Sequence, residues 1–184
     1  MLLGLSPLRI SFAGGGTDLE EYHNTYDGFT ISATINKFTY VFARYRNDNK
    51  IQSFSPDFAS HLAPKTMDKI KSSQGHEIVL TCIREMKFKN GLDIFFCSDV
   101  APGSGLGASS SMATNFVQVL LKLQNQKWDK NKIAMKAYSI GHDVLKWGIG
   151  KQDEFASCYG GINLYKFTKK KVNLTSVYIK RITK

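Results

Sequence analysis

Between a short apolar run, Leu92–Ser98 (LDIFFCS), and a longer apolar series stands the segment Ala101-Pro102-Gly103-Ser104-Gly105-Leu106-Gly107-Ala108-Ser109-Ser110-Ser111. The series that follows, Met112, Phe116, Val119, Leu120 and Leu123, has helical spacing. Three glycines in five positions suit neither a strand nor a helix, so the order strand, loop, helix is imposed locally. Such a junction has definite chemistry. A helix start offers unpaired N–H groups and the positive end of the dipole. Glycines let backbone amides approach an anion, and serine hydroxyls can cap the helix, donate to phosphate oxygens or ligate Mg²⁺. Together these make a polyphosphate cradle. No Gly-Lys-Ser/Thr follows, so it is not a Walker A loop, and Ala108 stands where a dinucleotide GxGxxG fingerprint needs its third glycine.

The rest of the chain reads as one α+β domain, a mixed sheet backed by helices. Residues 7–13 (PLRISFA) predict a strand entering the turn Gly14-Gly15-Gly16-Thr17-Asp18, and 28–46 predict two strands or one long bent strand. Residues 50–54 predict a short strand, 57–64 irregular chain, and 66–87 a helix with an imperfect period interrupted at Ser72-Ser73-Gln74-Gly75. A second helix is expected over 129–147, with Ile133, Ala137, Ile140, Val144 and Trp147 in register. Residues 162–167 and 172–179 predict a hairpin around Thr168–Lys171.

Composition narrows the functions. The chain has 184 residues, about the size of one domain. No stretch of about 18 apolar residues is present to span a membrane. Cys82, Cys97 and Cys158 are far apart, odd in number and without a CxxC, which argues against a disulfide framework or thiolate zinc site and fits a reducing cytoplasm. The net charge is +10, but residues 166–184 hold seven bases and no acid, leaving 18 bases against 15 acids elsewhere. The excess is therefore local, and a nucleic-acid partner is not favoured over a lysine-guarded sheet edge. The four histidines show no metal spacing, and the aromatic residues of 38–45 with Phe95-Phe96 read as core.

Three segments together resemble the GHMP small-molecule kinases. PGSGLGASSS is similar to their Gly-Leu-Gly-Ser-Ser phosphate motif. PLRISFAGGGTD is similar to the substrate motif of the sugar-kinase branch, and GKQDEFASCYGGIN to that branch's Gly-Lys-Gln-Asp…Gly-Gly segment. The resemblance runs from Pro7 to Asn163 and is strongest toward D-glycero-D-manno-heptose 7-phosphate kinases. It implies an N-terminal ATP-binding domain over 1–184, with a second GHMP domain expected only beyond it.

The resemblance also implies roles. Asp153 would be the catalytic base, with Lys151 offsetting phosphate charge or lowering the Asp153 pKa. Pro102, Gly103, Ser104, Gly105, Leu106, Gly107, Ala108, Ser109 and Ser110 would hold ATP, and Ser109 would contact Mg²⁺. Arg9, Gly14, Gly15, Gly16, Thr17 and Asp18 would bind the sugar phosphate, Arg9 as a bidentate partner of phosphate. Gly160 and Gly161 would be either substrate-adjacent backbone or a turn into the hairpin. Two departures stand out: Ala108 replaces a serine, and Gly141 stands where relatives carry a metal-binding glutamate, with Asp143 about 200° further round a helix. The expected partners are a nucleotide and a sugar phosphate, with a homo-oligomer left open. The alternatives are a non-catalytic nucleotide- or sugar-phosphate-binding remnant and an RNA-binding domain of the same fold.

Overall fold

The computed structural model describes residues 1–70 and 74–178. Strand β1 (Leu2–Ala13) leads through the glycine turn into the short helix α1 (Glu20–His23), then β2 (Gly28–Tyr45), β3 (Lys50–Ser55) and β4 (Ser60–Thr66). Helix α2 (Glu77–Glu85), β5 (Leu92–Ser98), α3 (Ala108–Leu123), α4 (Lys130–Ser139), α5 (Gln152–Tyr159), β6 (Ile162–Phe167) and β7 (Val172–Ser176) follow. The strands form one mixed sheet in the order β4-β3-β5-β2-β6-β7, with β1 antiparallel to β2 and β3 parallel to β5.

The long β2 organises the sheet. Its first part, Gly28–Ala33, pairs with β6, and its last part, Thr39–Tyr45, pairs with β5. One long strand, not two, therefore joins the two halves. Alternation sorts its side chains: Thr39, Val41 and Ala43 face the helices, while Phe38, Tyr40 and Phe42 face outward. Leu92, Ile94 and Phe96 of β5 join Val41 and Ala43 in the main core, against Leu80 and Ile83 of α2 and Phe116, Val117 and Leu120 of α3. Each of these large side chains contributes about 1.5–3 kcal/mol by leaving water. Phe96 is core as expected, but Phe95 and Phe42 pack edge-on to each other on the opposite sheet face. That face also exposes Leu3, Leu5 and Phe12.

Several expectations are corrected. Strand β1 begins at Leu2, five residues before the predicted start, because Leu3 and Leu5 alternate with the helix-facing Gly4 and Ser6. Residues 60–66 are a strand, not irregular chain. Pro64 is tolerated there because β4 is an edge, where a missing N–H breaks no ladder. The helix expected over 66–87 is only Glu77–Glu85; a 3-10 turn occupies Met67–Lys69, and Gly75 takes φ +80°. The helix expected over 129–147 is α4 followed by a wider π turn, Ile140–Val144, after which the chain leaves the helix. The hairpin β6–β7 is present, and the predicted end of its second strand at Ile179 lies outside the described residues. Among the described residues no helix is long and apolar enough to cross a membrane.

Candidate functional site

The glycine-serine loop does stand at a helix start. Gly103, Gly105 and Gly107 have φ of +80°, +74° and +76°, and Gly107 is the residue that caps α3. These left-handed conformations turn successive amides to one side, which a side chain would resist. Nothing stands within 4 Å of where a Cβ would project from Gly103 or Gly105. At Gly107 a Cβ would lie 2.9 Å from Asp153 Oδ2 and 3.4 Å from Arg9 Cζ. The loop therefore touches the pair formed by Arg9 of β1 and Asp153 of α5. That pair is bidentate: Arg9 Nε and Nη2 each donate to an Asp153 oxygen at 2.6 Å. Arg9 Nη1 donates to the Gly105 carbonyl at 2.7 Å, and the Arg9 amide to the Leu106 carbonyl at 3.2 Å. One arginine thus fixes the loop and the aspartate relative to each other. Burial pushes the Asp153 carboxyl above the usual carboxylate range, against the opposing pull of Arg9.

Helix α5 starts where it does because of Asp18. The Asp18 carboxylate is buried and accepts the Gln152 N–H at 3.0 Å and the Gly16 N–H at 3.1 Å. It caps the helix from 134 residues away, since Lys151 gives no side-chain cap. Gly150 is required here, as a Cβ would fall 2.0 Å from Asp18 Oδ2. Thr17 Oγ1 accepts the Phe29 N–H at 2.9 Å and lies 2.8 Å from the Gly14 carbonyl. Both side chains expected to address sugar hydroxyls thus hold backbone in place. A cleft of about 270 Å³ opens beside them, lined by Arg9, Gly16, Leu19, Ile149 and Asp153 among others. A small apolar hollow lies elsewhere along the loop, between Phe58, Ile78, Pro102 and Met112, with Asp57 at its rim. A hollow of about 360 Å³ on the outer sheet face is remote from this chemistry, and its Arg44 and Asp93 pair with each other at 2.8 Å.

Residues 76–161 match the family model of the GHMP kinases N terminal domain. The chain carries a GHMP kinase N-terminal domain. It is 30% identical over 171 residues to a D-glycero-alpha-D-manno-heptose 7-phosphate kinase of Campylobacter jejuni, covering 90% of this chain and 50% of that protein. It is 26% identical over 165 residues to a galactokinase of Chloroflexus aurantiacus, covering 85% and 42%. The crystal structure of a D-glycero-D-manno-heptose 1-phosphate kinase from Bacteriodes thetaiotaomicron superposes with a TM-score of 0.89 at 26% identity, over 98% of this chain and 61% of that one. The chain spans about half the length of the curated relatives it matches.

Within this GHMP kinase domain, some expected site residues lie away from the Arg9–Asp153 pair. Lys151 does not approach Asp153. Its ammonium is buried, 3.0 Å from Glu20 Oε1 and 3.3 Å from His23 Nε2, over the Tyr138 ring. Arg9, expected on a substrate phosphate, spends its fork on Asp153. Ser110 is buried, and Ser111 Oγ lies 3.1 Å from the Ser6 carbonyl, so Ser104 and Ser109 are the exposed hydroxyls of the loop. Gly14 packs against the Phe29 carbonyl, whereas Gly16 lines the cleft. Gly160 and Gly161 sit at the far end of α5, about 10 Å along its axis from Asp153. They form a turn: the Gly161 N–H donates to Thr34 Oγ1 at 2.9 Å, and the Thr34 N–H to the Gly161 carbonyl at 3.0 Å.

One feature escaped the sequence reading. Glu154, next to Asp153, is fully buried and neither oxygen has a hydrogen-bond partner. Burial, then the neighbouring Asp153 charge, pushes its pKa up to about 8. Its one sequence signal is position: Ser157 and Cys158, three and four residues on, share its face of α5. Gly141, where the sequence lacks the expected glutamate, lies in the π turn. A Cβ there would come 2.7 Å from Ile149 Cδ1 and 3.1 Å from Trp147 Cε3, so apolar side chains fill the space. Asp143 does not replace a carboxylate at 141, because it is exposed and bonded to His142 Nδ1 at 2.8 Å. No group of three His, Cys, Asp or Glu able to cage a metal occurs among the described residues. The donor set still fits Mg²⁺ brought on nucleotide phosphates, an ion that keeps waters and needs few protein ligands.

Proposed function

We propose that this chain is the nucleotide-binding part of an ATP-dependent sugar kinase, which transfers the γ-phosphoryl group to a hydroxyl of a sugar phosphate, heptose 7-phosphate being the candidate acceptor. The observation that carries this reading is the contact between the α3 loop and the Arg9–Asp153 pair. It puts a phosphate cradle beside a carboxylate. Loop amides from Gly103 to Ser109 and the α3 dipole hold the nucleotide phosphates. The exposed Ser109 hydroxyl is the protein donor for Mg²⁺, which when bound neutralises charge on the phosphates. Asp153 orients the acceptor hydroxyl and accepts its proton at a carboxylate oxygen, a role helped by its raised pKa. Arg9 holds that carboxylate in one orientation against the loop. The cleft bounded by Gly16, Leu19 and Ile149 receives the acceptor.

A coupled ADP-release assay with heptose 7-phosphate tests the reading. Asp153→Asn should keep ATP affinity and lose about 10²–10⁴ in rate, the scale of a general base. Unchanged turnover in that variant would remove the base assignment. A second reading, binding of the same ligands without turnover, is favoured by the apolar filling at Gly141. ATP binding by wild type with no ADP release would select it.

A further inference from the structure

Lys151 begins the helix that carries Asp153, yet its side chain runs the other way. Its ammonium is buried and meets Glu20 Oε1 at 3.0 Å and His23 Nε2 at 3.3 Å. The Tyr138 ring of α4 lies 5.0 Å from it, within cation–π range. Glu20 and His23 are the two ends of α1, the single turn that follows the glycine loop. Leu19, the residue before that turn, is a wall of the cleft. A lysine ammonium is donor only, so His23 Nε2 must be the acceptor and its proton must sit on Nδ1. His23 is therefore neutral, in keeping with the direction in which burial moves it. Lys151 thus meets both ends of α1 from the start of α5, while Asp18 ties the chain just before α1 to the Gln152 N–H.

We propose that Lys151 is a positioning residue that pins α1 to the start of α5, and so fixes the sugar-phosphate side of the cleft relative to Asp153 without touching nucleotide or substrate. The acceptor role rests on the kinase reading; the pin itself does not. Removing the ammonium frees a four-residue turn that is too short to hold itself in water. Acceptor binding then weakens, while the loop, held by Arg9, keeps its affinity for nucleotide.

The test compares the full chain with Lys151→Met and with Glu20→Ala, the second being a half-exposed position that should not disturb folding. Hydrogen exchange is read at amides 19–26 and 108–123, and calorimetry measures affinity for heptose 7-phosphate and for MgATP separately. Both variants should speed exchange at 19–26 but not at 108–123. They should weaken heptose 7-phosphate about tenfold, the scale of a lost charge-assisted hydrogen bond, and leave MgATP affinity unchanged. Unchanged exchange at 19–26 in both variants overturns the pin. Equal weakening of both ligands overturns the acceptor-side role. Faster exchange in the variants of a wild type that binds neither ligand supports the pin and removes the acceptor role along with the kinase reading.

Discussion

Replacing Glu154 by glutamine should stabilise the protein at neutral and alkaline pH, and increasingly so as pH rises. The side chain is fully buried beside Asp153 and neither oxygen has a well-formed hydrogen bond, the nearby Ser110 hydroxyl offsetting burial only in part, so its charged form is disfavoured and its pKa stands at about 8 against 4.5 in the unfolded chain. Between those values the unfolded state releases a proton that the folded state keeps. Stability is therefore full below about pH 4.5, falls as pH rises, and levels off above about pH 8. At pH 7 the 2.5-unit interval corresponds to about 3 kcal/mol, and above pH 8 the whole interval to about 5 kcal/mol. Glutamine keeps the shape without a charge, but its amide brings a further buried donor costing about 1–3 kcal/mol. The net gain at pH 7 is then about 0–2 kcal/mol, or up to about 8 °C in Tm. Urea unfolding of both proteins from pH 4 to pH 9 isolates the effect, because other titrating groups cancel in the difference. The variant should be equal or less stable near pH 4 and overtake wild type by about pH 8. Parallel curves across that range would refute a buried neutral carboxyl at 154.

Gly107→Val should abolish ATP binding measured by calorimetry, because the new Cβ would stand 2.9 Å from Asp153 Oδ2 on a backbone with φ +76°. Ser109→Ala should leave folding unchanged and weaken ATP binding in the presence of Mg²⁺ about tenfold, with little change when the metal is chelated. Gly141→Glu should lower Tm rather than restore a metal ligand, because Ile149 and Trp147 occupy the space the side chain would enter. Scanning calorimetry should show a loss of about 1–3 kcal/mol, the usual range for overpacking.

What was legible in the sequence follows from how local each signal is. The loop and α3 were readable because Met112, Phe116, Val119 and Leu120 repeat on one face and the glycines permit no other junction. Strand β4 was hidden by Pro64, a residue that only an edge strand accepts, and edge position is a property of the whole sheet. The continuous pattern from Ile133 to Trp147 failed because a π turn at Ile140–Val144 alters the period without any proline to mark it. The site divides in the same way. Loop residues are neighbours in sequence, but Arg9 and Asp153 lie 144 residues apart and meet only across β1 and α5. Lys151 and Asp153 are two residues apart at the start of α5, and neighbours at that spacing point to different sides, so proximity in sequence misled. Asp18 reads as a polar turn residue until Gln152 and Gly150 are brought against it.

The central claim is that the α3 loop is a nucleotide-phosphate cradle facing Asp153. Titrating isotope-labelled protein with MgATP and following backbone amide resonances measures this directly. The largest shifts should fall on Gly103, Gly105, Gly107 and Ser109, with smaller ones at Arg9 and Asp153, and Gly107→Val should remove them. Shifts confined to the outer-face hollow around Phe42 and Phe54, or no shifts at all, would contradict it.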